Sequence, residues 1–128
     1  MLLSYENKTI DTGELALSFS EVLHYLNFTG IPGELYSTAS GKVSAEAALA
    51  VFEAFGSLLT DNITYISGIF INLSDDTTVC KLTMENLRTS LSEEELKVLS
   101  NTGVETACVR EDDVTYISFT LPERGRSV

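Results

Sequence analysis

The stretch AVFEAFGSLLTDNITYISGIFINL, Ala50 to Leu73, changes its period in the middle, and that change decides the fold. With Ala48 just upstream, Val51, Phe52, Phe55, Leu58, Leu59 and Ile63 recur at helical spacing and share one apolar face. Glu53, Ser57 and Asp61, at steps of four, form a polar stripe on the same helix. From Tyr65 to Leu73 the residues are β-prone and the period falls to two, the pattern of a half-buried strand. A helix and a strand that each carry one apolar face bury them together, which predicts a helical layer on a sheet.

The pattern extends in both directions. Upstream, Ser44 is placed as the N-cap of this second helix, and Glu46 complements its dipole. Before it lies a short β-prone run, Glu34 to Thr38, which starts only beyond Pro32. A first helix carries Leu15, Phe19, Val22, Leu23 and Leu26 on one face, with Asp11 and Glu14 as a capping pair and Gly30 past its end. Downstream, Thr78 to Glu85 is a second strand, joined to the first by the turn Ser74-Asp75-Asp76-Thr77. In SLSEEEL, Ser92 and Glu95 make a capping box for a third helix, Leu91 is set to staple onto Leu96, and Gly103 closes the helix. Val104 to Arg110 and Val114 to Leu121 form a closing hairpin around Glu111-Asp112-Asp113, ended by Pro122. The order α-β-α-β-β-α-β-β implies an α+β, two-layer sandwich: a mostly antiparallel sheet covered on one face by about three helices. At 128 residues the chain is expected to be one domain, with its core in about 11–122 and a frayed tail at 123–128.

Charge narrows the function. Nineteen acids against eight bases give a net charge of −11, a field that repels phosphate backbones, so nucleic acid is excluded as a partner. Cys80 and Cys108 lack the spacing of a metal site and are expected as free core thiols. MLLSYENKTI has too short an apolar block for a signal peptide, and no run approaches the ~18 apolar residues of a membrane span. The segment is therefore expected in the cytoplasm, without membrane insertion, and the sequons at Asn7, Asn27, Asn62 and Asn72 carry no weight. His24 is the single histidine, sits beside core positions in EVLHYL and is read as a buried structural residue. With no second histidine and no nucleophile motif, neither a Ser/His/Asp nor a Cys/His set can be assembled. Asp75/Asp76 and Asp112/Asp113 are read as turn residues, since Asp bonds its own backbone there.

Several phrases, taken in order, resemble the ATP-binding catalytic domain of sensor histidine kinases, within the histidine-kinase-like ATPase superfamily. LHYLNFTGIPGELYS resembles that domain's first helix and strand, VFEAFGSLLTDN its Asn-bearing helix, and GIFINLSDDTTVCKLTMEN its central hairpin. LSNTGVETACVREDDVTYISFTLP resembles the closing helix and hairpin with their Leu-Pro ending. The resemblance covers most of the chain and implies a nucleotide site on the second helix, where an Asn helps hold Mg²⁺ on the phosphates. With Glu53 set against a frequent acidic residue one turn earlier, Ser57 falls at that Asn position; a shifted register places Asp61 or Asn62 there. The family's Asp-x-Gly-x-Gly turn is replaced by Met84-Glu85-Asn86-Leu87-Arg88, with Asn86 at the Asp position and neither glycine present. Between Glu85 and Ser92 there is no room for the family's phosphate-covering lid.

The resemblance therefore implies a degenerate domain, a pseudokinase without ATP or Mg²⁺. It would be the C-terminal part of a two-component sensor-like protein, acting as a non-catalytic signalling or interaction module. Its implied partners are a response regulator or the sensor regions of a longer chain. The alternative is a divergent but active histidine kinase domain that binds ATP and Mg²⁺ through Ser57, Asp61 or Asn62 together with Asn86. A third reading, an unrelated small α+β binding module, stays open because fold does not supply function. In any of these, Glu53, Ser57 and Asp61 also suit a plain solvated stripe.

Overall fold

A computed structural model of the chain describes residues 8–74 and 79–122. Two short strands, β1 (Thr9–Asp11) and β3 (Lys42–Ser44), pair antiparallel beside the main body. Neither is foreseen in the sequence, because three residues are too few to show a period. They correct the capping of the first helix, α1 (Thr12–Phe28): Asp11 makes no side-chain cap. It lies opposite Lys42 in the ladder, and its carboxylate pairs with the Lys42 Nζ at 3.2 Å.

The apolar face of α1 buries Leu15, Phe19, Leu23 and Leu26, while Val22 is only half-buried. The second helix, α2 (Ala45–Asn62), starts at Ser44, whose Oγ accepts from the Ala47 N–H at 3.2 Å. Its face buries Ala48, Val51, Phe55, Leu58 and Leu59, with Phe52 at the margin. Ile63 departs from that face and stays 45% exposed, since the helix ends one residue earlier. Phe19 and Phe55 meet edge to face at 5.1 Å and lock α1 onto α2.

The five-stranded sheet is ordered β2 (Gly33–Ser37), β4 (Gly68–Ser74), β5 (Val79–Glu85), β7 (Val114–Thr120), β6 (Glu105–Glu111). Three pairings are antiparallel hairpin or neighbour contacts, whereas β2 runs parallel to β4 because α2 crosses over between them. Of the turn read at Ser74 to Thr77, Ser74 ends β4 and residues 75–77 lie outside the described ones, as does the tail at 123–128. Burial alternates along the central strands: Ile69, Ile71, Leu73, Cys80, Leu82, Met84, Ile117 and Phe119 face the helices, while Phe70, Lys81 and Tyr116 face outward. The third helix, α3 (Glu93–Asn101), carries the full capping box of Ser92 and Glu95 and is closed by Gly103 at φ +89°. Leu91 packs on the core, while Leu96 remains 40% exposed.

Two side chains leave the core assigned to them. Cys80 is buried, and that burial pushes its thiol up to about 12, but Cys108 is exposed. It lies on β6, the outermost strand of the sheet, whose residues are exposed at every position but the half-buried Thr106. His24 is likewise exposed, on the flank of α1, with its ring edge-on to Phe28 at 5.4 Å.

Replacing Phe55 by Ala is expected to cost about 3–5 kcal/mol in denaturant melts by opening a cavity; a loss under about 1 kcal/mol contradicts its place in the core. A thiol reagent at neutral pH is expected to label Cys108 in the native protein and Cys80 only after unfolding, as read by peptide mass.

Candidate functional site

The positions singled out in the sequence lie on α2 and on the connection from β5 to α3. Glu53 and Asp61 are exposed on α2, and Ser57 between them is half-buried. The Ser57 hydroxyl donates to the carboxylate of Glu95, on α3. The other Glu95 oxygen accepts from the Ser92 N–H at 2.7 Å, so the capping box of α3 is also its clasp onto α2. The Ser57 hydrogen bond, the Ser92 backbone and the Ser92 side chain outweigh partial burial and hold the Glu95 carboxyl below its ordinary value.

Asn62, the last residue of α2, is fully buried and makes four hydrogen bonds: Nδ2 donates to Leu58 O and Thr89 O, each at 2.8 Å, and Oδ1 accepts from the Arg88 and Thr89 N–H groups, each at 2.7 Å. Both amide protons are engaged, and the carbonyl already takes two donors. The connection it grips is fixed elsewhere too. Leu87 is buried and its carbonyl accepts from Arg110 Nη1 at 2.8 Å, while the Arg88 guanidinium lies 4.6 Å from the centre of the Tyr65 ring.

Asn86 opens this connection with φ of 65°, a left-handed conformation that Asn tolerates better than most side chains. Its N–H donates to Asp113 O at 2.7 Å and its Nδ2 donates to Ser67 Oγ at 2.8 Å, which in turn donates to Glu85 at 3.2 Å. Asn86 therefore stands with Ser67 and Glu85, apart from the bonds that Asn62 and Ser57 make. Glu95, Ser67, Thr89 and Arg110 are the participants that sequence reasoning missed. Only Glu95 had a signal, its capping spacing, and nothing local points to its second bond.

Between α2 and α3 lies a cleft of about 220 Å³ lined by Ala50, Glu53, Ala54, Glu95 and Val98. Two carboxylates and no cation line it, which suits neither a phosphate nor an anionic ligand. Its volume is below the roughly 300 Å³ at which ligand pockets usually begin. Among the described residues no group of three or more His, Cys, Asp or Glu is placed to hold a metal ion, and no helix is long and apolar enough to cross a membrane.

Because its folded pKa is lowered, Glu95 contributes stability above the ordinary carboxyl value of 4.5, and that contribution is lost as pH falls through the folded value. Ser57→Ala is expected to raise the Glu95 pKa in a carboxyl NMR titration and to lessen the loss of stability on acidification. An unchanged titration means that the Ser57 bond does not form in solution.

No sequence-family model and no curated protein sequence matches the chain. Solved structures do. The catalytic domain of histidine kinase ThkA is 13% identical with a TM-score of 0.62, over 90% of this chain and 95% of that one. Histidine kinase AdeS of Acinetobacter baumannii is 12% identical with a TM-score of 0.63, over 92% of this chain and 68% of that one. The ATP binding domain of PrrB from Mycobacterium tuberculosis is 11% identical with a TM-score of 0.59, over 94% of this chain and 99% of that one. Identities this low speak to architecture alone, and the architecture is shared across nearly the whole chain: it has the histidine-kinase-like ATPase fold, an α+β sandwich of three helices on a mostly antiparallel sheet.

Proposed function

We propose that this chain is a non-catalytic histidine-kinase-type ATPase domain, a signalling or interaction module of a two-component sensor-like protein. The observation that carries this reading is the saturated Asn62 amide. In the shifted register Asn62 is the one asparagine at the position where the family holds Mg²⁺, yet both of its polar atoms are engaged by Leu58, Arg88 and Thr89. Freeing its carbonyl for a cation would take the acceptor away from the part-buried N–H groups of Arg88 and Thr89 and unpin the connection they belong to. In the other register, Ser57 offers a hydroxyl that already donates to Glu95. Asn86, at the adenine-reading position, has an amide in place of a carboxylate and cannot make the charge-assisted bond.

The acidic setting supports the same conclusion. The cleft beside Ser57 carries Glu53 and Glu95, and the chain as a whole carries −11, so ATP approaches against a repulsive field. With phosphotransfer set aside, what remains is a folded platform in the cytoplasmic part of a sensor-like protein, with protein partners such as a response regulator or that protein's own sensor regions.

The test is thermal. A ligand at 100 times its Kd adds about 2.7 kcal/mol of stability, enough to raise the Tm of a domain this size by several degrees. Millimolar Mg-ATP and Mg-ADP are expected to leave the Tm unchanged. A reproducible rise with ATP that GTP does not give overturns the proposal in favour of an active, divergent kinase domain.

A further inference from the structure

The parallel ladder between β2 and β4 shows which side of β2 is open. Its ends are fixed by Ile69 N–H to Pro32 O at 3.0 Å and Thr38 N–H to Leu73 O at 3.0 Å. With Gly33 opposite Ile69 and Ser37 opposite Leu73, Glu34 and Tyr36 turn their backbone groups toward β4, and Gly33, Leu35 and Ser37 turn theirs away from the sheet. The first outward donor, the Gly33 N–H, is capped by Asn27 Oδ1 at 3.0 Å. Beyond it the edge is uncapped. Among the described residues no strand lies outside β2, and none pairs with the outward N–H and C=O of Leu35 or the outward N–H of Ser37. Within β2 itself, GELYS, there is no Pro, no Lys and no bulge, and Glu34 is its one charged side chain.

A groove runs along this edge. Ser20, Leu23, His24 and Asn27 of α1 face Gly33 and Leu35 of β2 across a cavity of about 240 Å³. Its lining is mostly polar, from Ser20, His24 and Asn27, and the His24 ring stands edge-on to Phe28, which is 81% exposed. A helix beside an unpaired strand edge is the geometry in which an extended segment adds to a sheet, taking affinity from main-chain bonds and specificity from alternate side chains. The charge nearby is one-sided. Glu34 on β2 and Glu21 on α1 are exposed, and no Lys or Arg lines the groove.

We propose that the groove between α1 and the free edge of β2 receives an extended, lysine- or arginine-bearing segment of a partner polypeptide, which joins the sheet as an added strand. The outward groups of Leu35 and Ser37 form the ladder. Alternate side chains of the segment enter the groove toward His24 and Asn27 or lie outward beside Glu34 and Tyr36, where a basic residue meets the Glu34 carboxylate. This deepens the reading of the chain as an interaction module and rests on it only in naming a partner class. The groove needs no statement about nucleotide, so the Mg-ATP melt tests one claim and the experiment below the other.

The probe is a random peptide library displayed on phage and selected on the folded, isotope-labelled chain, with the enriched peptides then synthesised for NMR titration. The enriched sequences are expected to alternate β-branched with basic residues. They are expected to shift the amide signals of Leu35 and Ser37 and to slow their hydrogen exchange. Ser37→Pro removes one outward N–H and leaves the β4 side of the ladder intact, so it is expected to keep the native Tm and to weaken binding about tenfold. Glu34→Lys, at an exposed position, is expected to weaken the basic peptides and spare neutral ones. Failure to enrich any peptide, shifts confined to β6 or to the α2–α3 cleft, or a folded Glu34→Lys and Ser37→Pro pair that bind as tightly as wild type each overturns the proposal.

Discussion

A buried amide ties α2 to the connection between β5 and α3. Asn62 closes α2 and, with no access to water, must find partners for every donor it carries; it finds them in its own helix and in the Arg88–Thr89 backbone. The connection from β5 to α3 has no secondary structure of its own, and its inward polar groups would be costly without that partner. Once the connection is pinned, α3 starts at a defined point, and Glu95 falls where Ser57 meets it. The packing of α3 on α2 therefore depends on one side chain at the end of the preceding helix.

The same bonds bear on function. A loop that opens and closes over a ligand is drawn from the less stable parts of a structure, with few buried contacts and exposed backbone bonds. The Asn86–Ser92 connection has the opposite character: Leu87 is buried, its carbonyl is held by Arg110, and two successive amides are held by Asn62. Rigidity here is the physical ground for reading the region as scaffold. At the far edge of the sheet the situation reverses, because β2 is braced on one side by β4 and, among the described residues, no strand pairs with its other side.

A strand's place in the sheet explains several exposures at once. The central strands β4, β5 and β7 alternate cleanly between buried and exposed residues, so their inward positions form the core. β6 is the outermost strand on the β7 side and stays exposed at every position but Thr106. Cys108 is opposite Ile117, which is fully buried, yet Cys108 itself is exposed because β6 is the outermost strand of the sheet. Its apolar neighbours in the chain look like those of Cys80, and the two thiols differ only in which strand of the sheet they occupy.

The sequence by itself determined the three helices, the central strands, the Ser44 cap and the Ser92–Glu95 capping box. Each rests on spacings of two, three or four residues, which are interactions within a single turn or strand. It also brought forward Glu53, Ser57, Asp61, Asn62 and Asn86 as positions of interest, but not what each one touches. Tertiary structure alone decided that Asn62 bonds residues up to 27 positions away, that Ser57 meets Glu95 across 38, and that Asp11 pairs with Lys42 in a ladder too short to show a period. The physical reason is that periodicity records which face of an element is apolar. The partner of a polar group on that element is set by where the packed layers bring a distant part of the chain.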